Sequence, residues 1–240
     1  MTELSAGLQR ELAFTFGSAI TFDQAERFAC SCDPSDLPRS PGPLPDLDKV
    51  LKTKPYAVLR PRNRGDLLEV IKFGKRFNVP LVPRGGGTSL NGASVPAEGG
   101  ITVDMTGFRA ILSIDRQKRE VDVEAGMKLW ELQRVLERDG LMLRTYPDTA
   151  LGATVGGAIG ANEPGYGSAA FGRFGDCVRE VELLSPDERV RTLHGGELDL
   201  AVGAEGSTGF ILRARLAVCA KEEIVPLALS FDTLASAVKA

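Results

Sequence analysis

The chain has 240 residues, 43% of them hydrophobic and 25% charged, proportions of an ordinary globular protein large enough to bury a real core. A formal net charge of −3 supplies no basic field for nucleic acid, and an aromatic content of 6% argues against base-stacking platforms. There is no apolar run of about 18 residues, no basic segment before an apolar one at Met1-Thr2-Glu3-Leu4, and only four cysteines. No membrane span, secretory leader or disulfide scaffold is therefore expected, and a reducing cytoplasm fits best.

Residues 3–29 read as two short helices. Leu4, Leu8 and Leu12 recur every four residues, and Phe22, Ala25 and Phe28 suit a second amphipathic segment. Thr21 and Gln24 have the spacing of a capping box. Asp33 to Pro45 carries five prolines and reads as an extended connector. Cys30-Ser31-Cys32 lies at its edge, far in sequence from Cys177 and Cys219, which is a poor metal signature; no metal site is expected.

Tyr56 to Leu59 predicts a strand, Asn63 the cap of a helix reaching Phe77, and Leu81-Val82 a second strand. That strand runs into Pro83-Arg84-Gly85-Gly86-Gly87-Thr88-Ser89-Leu90-Asn91-Gly92. Three consecutive glycines place no Cβ in the way, so backbone N–H groups can close on a bulky anion, with Thr88, Ser89 and Asn91 adding polar side chains and Arg84 a positive charge. A diphosphate cradle and an ordinary glycine turn both satisfy these ten residues. The position after the second strand is not that of a Rossmann loop, and no Lys follows the glycines as in a P-loop.

Further strands are expected over Ile101 to Asp104, Ile111 to Ile114 and Glu120 to Glu124. An amphipathic helix follows from Leu129 to Leu136 and stops at Gly140; it carries Trp130, the one tryptophan. Pro147-Asp148-Thr149 forms a turn before a second cluster, Gly152 to Asn162, rich in glycine and alanine. Gly165 to Ala170 satisfies G-x-G-x-x-A by letter, but no strand precedes it, so the match is read as accidental. Val178 to Leu184 and Val190 to Leu193 read as a hairpin about Pro186-Asp187-Glu188. A third glycine cluster, Gly203 to Gly209, enters a strand from Ile211 to Val218, and a helix begins near Asp232.

Three glycine clusters in this order, with Pro147-Asp148-Thr149 between the first two, resemble the FAD-linked oxidases of the vanillyl-alcohol oxidase/p-cresol methylhydroxylase (PCMH) type. The branch most similar is that of D-lactate dehydrogenase and the glycolate oxidase flavin subunit. The resemblance covers about Lys54 to Lys221. It implies an α+β fold, a PCMH-type FAD-binding domain of two α+β subdomains with FAD between them, preceded here by a short N-terminal helical arm. Residues 1–53 are then the arm and connector, 54–222 the FAD-binding domain, and 223–240 the start of a substrate domain that is otherwise missing.

By the same resemblance, Pro83, Arg84, Gly85, Gly86, Gly87, Thr88 and Ser89 take the diphosphate. Pro147, Asp148, Thr149, Gly152, Thr154, Gly156, Gly157 and Asn162 line the ribityl and ring portion. Gly206, Gly209, Phe210 and Ile211 complete the cleft. Relatives that attach flavin covalently use a His near the first loop; Thr88 and Asn91 stand here, so FAD is expected to be non-covalent. Asn162-Glu163-Pro164-Gly165 departs from the small residues and glycines usual in the family. His194, the single histidine, reads as a surface turn residue, so the catalytic residues stay unassigned. The function implied is the FAD-binding domain of a 2-hydroxy-acid dehydrogenase or oxidase, with a small hydroxy acid as substrate and a partner subunit or missing domain to recognise it. A non-catalytic FAD-binding or electron-transfer subunit is the alternative, and an apo module with tight turns a third.

Overall fold

The computed structural model describes residues 3–35, 53–223, 225 and 227–239. The proline-rich connector expected over Asp33 to Pro45 falls outside them beyond Ser35. The N-terminal arm holds helices α1 (Ala6–Phe16) and α2 (Gln24–Ala29), separated by a short strand, β1 (Ile20–Thr21). The expected capping box is corrected. Asp23 caps α2, its carboxylate accepting from the N–H groups of Ala25 (2.9 Å) and Glu26 (3.1 Å), while Thr21 Oγ1 accepts from Asp23 N. A carboxylate two residues closer to the first turn reaches the orphan donors better than Thr21 does.

β1 lies antiparallel on β2 (Ala57–Leu59), and the first sheet continues through β4 (Ile101–Asp104) to β3 (Leu81–Arg84), the last three strands being parallel. β2 is buried at every residue, as a parallel strand covered on both faces requires. The crossover helix between β2 and β3 is α3 (Arg64–Phe77). Asn63 caps it by accepting from Asp66 N at 3.1 Å, and Asn78 ends it in the left-handed region at φ 50°. Leu67, Val70, Ile71 and Phe73 form its buried face and meet Leu12 and Phe16 of α1 with Leu59, Ile101 and Val103 of the sheet.

The second sheet is antiparallel, in the order β5 (Ile111–Asp115), β6 (Glu120–Glu124), β10 (Phe210–Ala220), β8 (Val178–Leu184), β9 (Val190–His194). β7 (Leu141–Leu143) pairs with the far end of β10. Helices α4 (Leu129–Arg138) and α5 (Val155–Ala161) pack Leu129, Leu132, Leu136, Val155 and Ile159 against Val121, Val123, Val181 and Leu216 of this sheet. Two short helices, α6 (Ser168–Phe171) and α7 (Leu234–Lys239), complete the described α-helices. β10 serves both cores: Phe210 and Leu212 belong to the first, Ala214, Leu216 and Val218 to the second. A register irregularity in the β8–β10 pairing sits between Ile211 and Arg213, where the strand passes from one core to the other.

The outer face of the second sheet is a charge lattice. β6 alternates, turning Val121 and Val123 inward and Glu120, Asp122 and Glu124 outward. Arg213 lies 2.8 Å from each of Asp122, Glu180 and Glu182, and Arg215 adds contacts to Asp122 (3.5 Å) and Glu180 (3.3 Å). Arg64 at the start of α3 pairs with Glu182, joining the two subdomains.

Removing the Arg213 guanidinium leaves three nearly buried carboxylates sharing what remains. Arg213→Ala is expected to lower unfolding free energy by about 2–3 kcal/mol in urea titration. On α3, Asp66 accepts from Arg62 Nε (2.9 Å), Arg62 Nη2 (3.0 Å) and Arg62 N (2.8 Å). The side-chain bond from Arg62 holds its carboxyl below the usual carboxylate range. A depressed folded pKa stabilises above the unfolded value and is lost as pH falls through the folded one. Asp66→Asn is therefore expected to cost stability at neutral pH and to converge on the wild type in acid, as read by denaturation at a series of pH values.

Candidate cofactor-binding cleft

β3 delivers the first glycine cluster to the seam between the two cores. A Cβ on Gly85 would lie 2.3 Å from Thr154 Oγ1, and one on Gly86 would lie 1.8 Å from the carbonyl oxygen of Gly152. The first cluster is thus pressed, backbone on backbone, against the second. Gly87 takes φ +66°, which turns the chain away again. In this conformation the N–H groups of Gly86, Gly87, Thr88 and Ser89 donate to no acceptor among the described residues. Four consecutive donors without such partners, in a loop that lines the cleft, are the arrangement an anion cradle requires.

The other two clusters behave differently. Thr154 caps α5, its Oγ1 accepting from Gly157 N at 3.2 Å, while Val155 N donates to Met127 O (2.9 Å) and Gly156 N to Ala125 O (2.7 Å). The donors at the start of α5 are therefore already paired, and the second cluster offers a close, Cβ-poor wall. The third cluster is pinned to α5 by Gly203 N→Ile159 O and Glu205 N→Gly160 O, each 3.0 Å. Gly206 takes φ +78°, and a Cβ there would lie 3.2 Å from the ring of Pro83. Asn91 Nδ2 donates to Glu205 Oε1 at 3.0 Å and ties the far end of the first loop to the third cluster.

The resulting cleft has a void of about 790 Å³, including the part open to solvent. It is lined by Pro83, Arg84, Gly85, Gly86, Gly87, Thr88, Ser89, Thr154, Gly156, Gly157, Gly206, Gly209 and Ile211, all expected from the sequence. The Arg84 guanidinium is turned to four acceptors: Ser94 O (3.3 Å), Ser94 Oγ (3.1 Å), Ala29 O (3.4 Å) and Cys32 O (3.1 Å). Its charge closes the loop and holds the end of α2 to it. Ser94 Oγ in turn donates to the buried Asp33.

Pro147, Asp148, Thr149, Gly152, Asn162 and Phe210 do not line the cleft. Thr149 O accepts from Gly152 N and Ala153 N, both at 2.9 Å, so this turn supports the wall from behind. Asn162 ends α5 at φ 47° and its Oδ1 accepts from Gly175 N at 3.0 Å. Phe210 is buried in the first core. Lining residues that the expected set lacks include Met105, Ala125, Gly160, Glu163 and Glu205. Glu163 alone carried a signal, as a carboxylate standing where the resemblance leads one to expect a small residue. Burial, with the neighbouring Asp148 charge second, raises its pKa.

A model of the FAD binding domain matches residues 55–194, more than half of the chain. The chain belongs to this FAD-binding family. This FAD-binding domain is 31% identical over 189 residues to the glycolate oxidase subunit GlcD of Bacillus subtilis, covering 74% of the chain and 40% of the relative. It is 30% identical over 192 residues to a D-lactate dehydrogenase of Archaeoglobus fulgidus, covering 76% and 43%. The chain thus spans about two fifths of the length of these curated relatives. Among solved structures, an alkyldihydroxyacetonephosphate synthase superposes with a TM-score of 0.76 at 24% identity, covering 91% of this chain and 41% of that one, so the PCMH-type fold is shared. The residues present fit FAD: a diphosphate needs neighbouring backbone donors without partners and no intervening Cβ, and the loop at Gly86 has both among the described residues.

A methyl group on Gly86 cannot be accommodated without parting the first two clusters. Gly86→Ala is expected to weaken FAD binding by about 100-fold, near 2.8 kcal/mol, when FAD is titrated against the apoprotein. Gly196→Ala, where a Cβ would meet nothing within 4 Å, is expected to leave it unchanged.

Proposed function

We propose that the chain is the FAD-binding part of a flavin-dependent 2-hydroxy-acid dehydrogenase or oxidase of the D-lactate or glycolate kind. The observation that carries the proposal is the row of N–H groups from Gly86 to Ser89, without acceptors among the described residues, that follows β3 in a chain related to a glycolate oxidase subunit and a D-lactate dehydrogenase. The cofactor-binding unit on this reading is residues 54–222, with 1–53 an arm and 223–240 leading into a substrate domain. The backbone of Gly85 to Ser89 holds the diphosphate. Thr154, Gly156 and Gly157 pass close along the ribityl and ring portion, with Pro147, Asp148, Thr149, Gly152 and Asn162 supporting that wall. Gly206, Gly209 and Ile211 close the far side, with Phe210 anchoring them in the first core.

FAD held by these residues would supply the two-electron chemistry, with flavin N5 as the acceptor for the hydride of the substrate Cα when a 2-hydroxy acid is oxidised to a 2-oxo acid. The protein's task is to exclude water, orient the flavin and keep its phosphates in register. FAD binding is non-covalent in this reading, because Thr88 and Asn91 occupy the loop and the one histidine, His194, is on β9 with Nδ1 3.8 Å from Glu180. Recognition of the acid and removal of its hydroxyl proton are assigned to residues outside 54–222, in a further domain or a partner subunit. Cys30, Cys32, Cys177 and Cys219 are free thiols, in keeping with a cytoplasmic setting. The same position of His194 favours, as a second reading, a non-catalytic FAD-binding or electron-transfer subunit.

The purified chain mixed with FAD is expected to show flavin absorption that follows the protein through gel filtration and is released on acid precipitation. Bleaching of that absorption by D-lactate or glycolate, once the further domain or partner subunit is supplied, selects the dehydrogenase over the passive subunit. No flavin absorption after added FAD, or absorption that stays with the acid precipitate, contradicts the cofactor reading or the non-covalent assignment respectively.

A further inference from the structure

Glu163 lies at the end of α5 and lines the cleft with the first loop, yet its side chain has no hydrogen-bond donor or ion-pair partner among the described residues. Its one hydrogen bond is through the backbone, from Phe174 N to Glu163 O at 3.1 Å. The charged groups around it give it no compensation. Asp148, from the turn at Pro147, adds a like charge. Glu205 on the third cluster is a second carboxylate, held by Asn91. The Arg84 guanidinium is turned to Ser94, Ala29 and Cys32, and Arg173 donates to the carbonyl of Asn162 at 3.3 Å. The rings of Tyr146 and Tyr166, from the segments that carry Asp148 and Glu163, lie 5.6 Å apart and tilted by 38°.

We propose that Glu163 is a proton-linked cofactor contact: FAD binds the form of the domain in which this carboxyl is protonated, so that FAD affinity is set by pH. The inference rests on the cleft being the FAD site. A diphosphate brings two further negative charges into a cleft that already holds an unpaired carboxylate, and filling the cleft removes the water that solvates it. Both effects favour the neutral acid. Protonated, Glu163 can donate a hydrogen bond to the cofactor instead of repelling it. Burial and Asp148 already push the Glu163 carboxyl upward before the cofactor arrives. Binding then raises the pKa further, takes up a proton, and weakens as pH rises through the free-state value.

The test is the Kd for FAD between about pH 5 and pH 9, by fluorescence titration at fixed ionic strength, for wild type and Glu163→Gln. The glutamine is a neutral isostere that keeps the backbone bond to Phe174. The wild-type Kd is expected to rise by about tenfold across the range, equivalent to one pKa unit of coupling, while the E163Q Kd stays flat and matches the wild type at the acid end. Asp148→Asn is expected to move the wild-type inflection to lower pH. Coincident wild-type and E163Q curves, or a Kd that falls with pH, overturn the proposal while leaving the FAD site standing. Failure of both proteins to bind FAD at any pH overturns the cofactor reading itself, and the proposal with it.

Discussion

The contact between Gly86 and the carbonyl of Gly152 is the constraint on which the cleft depends. With a Cβ position 1.8 Å from that oxygen, only glycine allows the loop after β3 to rest on the turn before α5. Because the loop is held from behind by this contact and by Thr154, it needs no hydrogen bonds of its own on the cleft side. Its N–H groups from Gly86 to Ser89 have no acceptor among the described residues, in a loop that lines the cleft. Buried or partly buried backbone donors without partners cost free energy. The structure holds them in place through packing elsewhere, which is the usual condition for a preorganised ligand site.

That packing comes from two cores that share one strand. β10 contributes Phe210 and Leu212 to the core under the first, mixed sheet and Ala214, Leu216 and Val218 to the core under the antiparallel one. Gly206 and Gly209, just before β10, therefore have their position set by both subdomains at once. Arg64 on α3 reaches Glu182 on β8 across the same seam, and Arg213 gathers three carboxylates on the outer face. On the proposed reading, a cofactor lying in the seam would be held by a joint packed from both sides. This is why residues from three distant parts of the chain can act as one site.

Side-chain direction divides the residues that the family resemblance grouped together. Asn162 and Phe210 belong to the glycine-rich segments, but Asn162 is turned toward Gly175 and Phe210 into the first core. Arg84 sits in the cleft wall while its guanidinium satisfies the backbone of the N-terminal arm at Ala29 and Cys32. The arm is thereby tied to the cofactor loop, a connection with no counterpart in the local sequence. Glu163 shows the reverse case: a residue that stands out in the sequence and does reach the cleft, where its lack of a partner gives it a chemical role to play.

Much of the fold was legible from the chain alone. The strands Ile101–Asp104, Glu120–Glu124 and Val178–Leu184 and the helix capped by Asn63 follow from local rules, since alternation, capping and glycine punctuation act over a few residues. The three glycine clusters and their order were legible too, and with them the family and its cofactor. The Asp23 cap is local but was hidden by the capping-box spacing of Thr21 and Gln24. The two-residue strand Ile20–Thr21 and the double allegiance of β10 were not legible, because each depends on a partner far away in sequence. The same holds inside the cleft. Sequence determined which segments carry the backbone donors, through residue types that leave the backbone bare; only the tertiary structure decided which donors remain free, because a hydrogen bond is consumed by whichever acceptor the fold brings within reach.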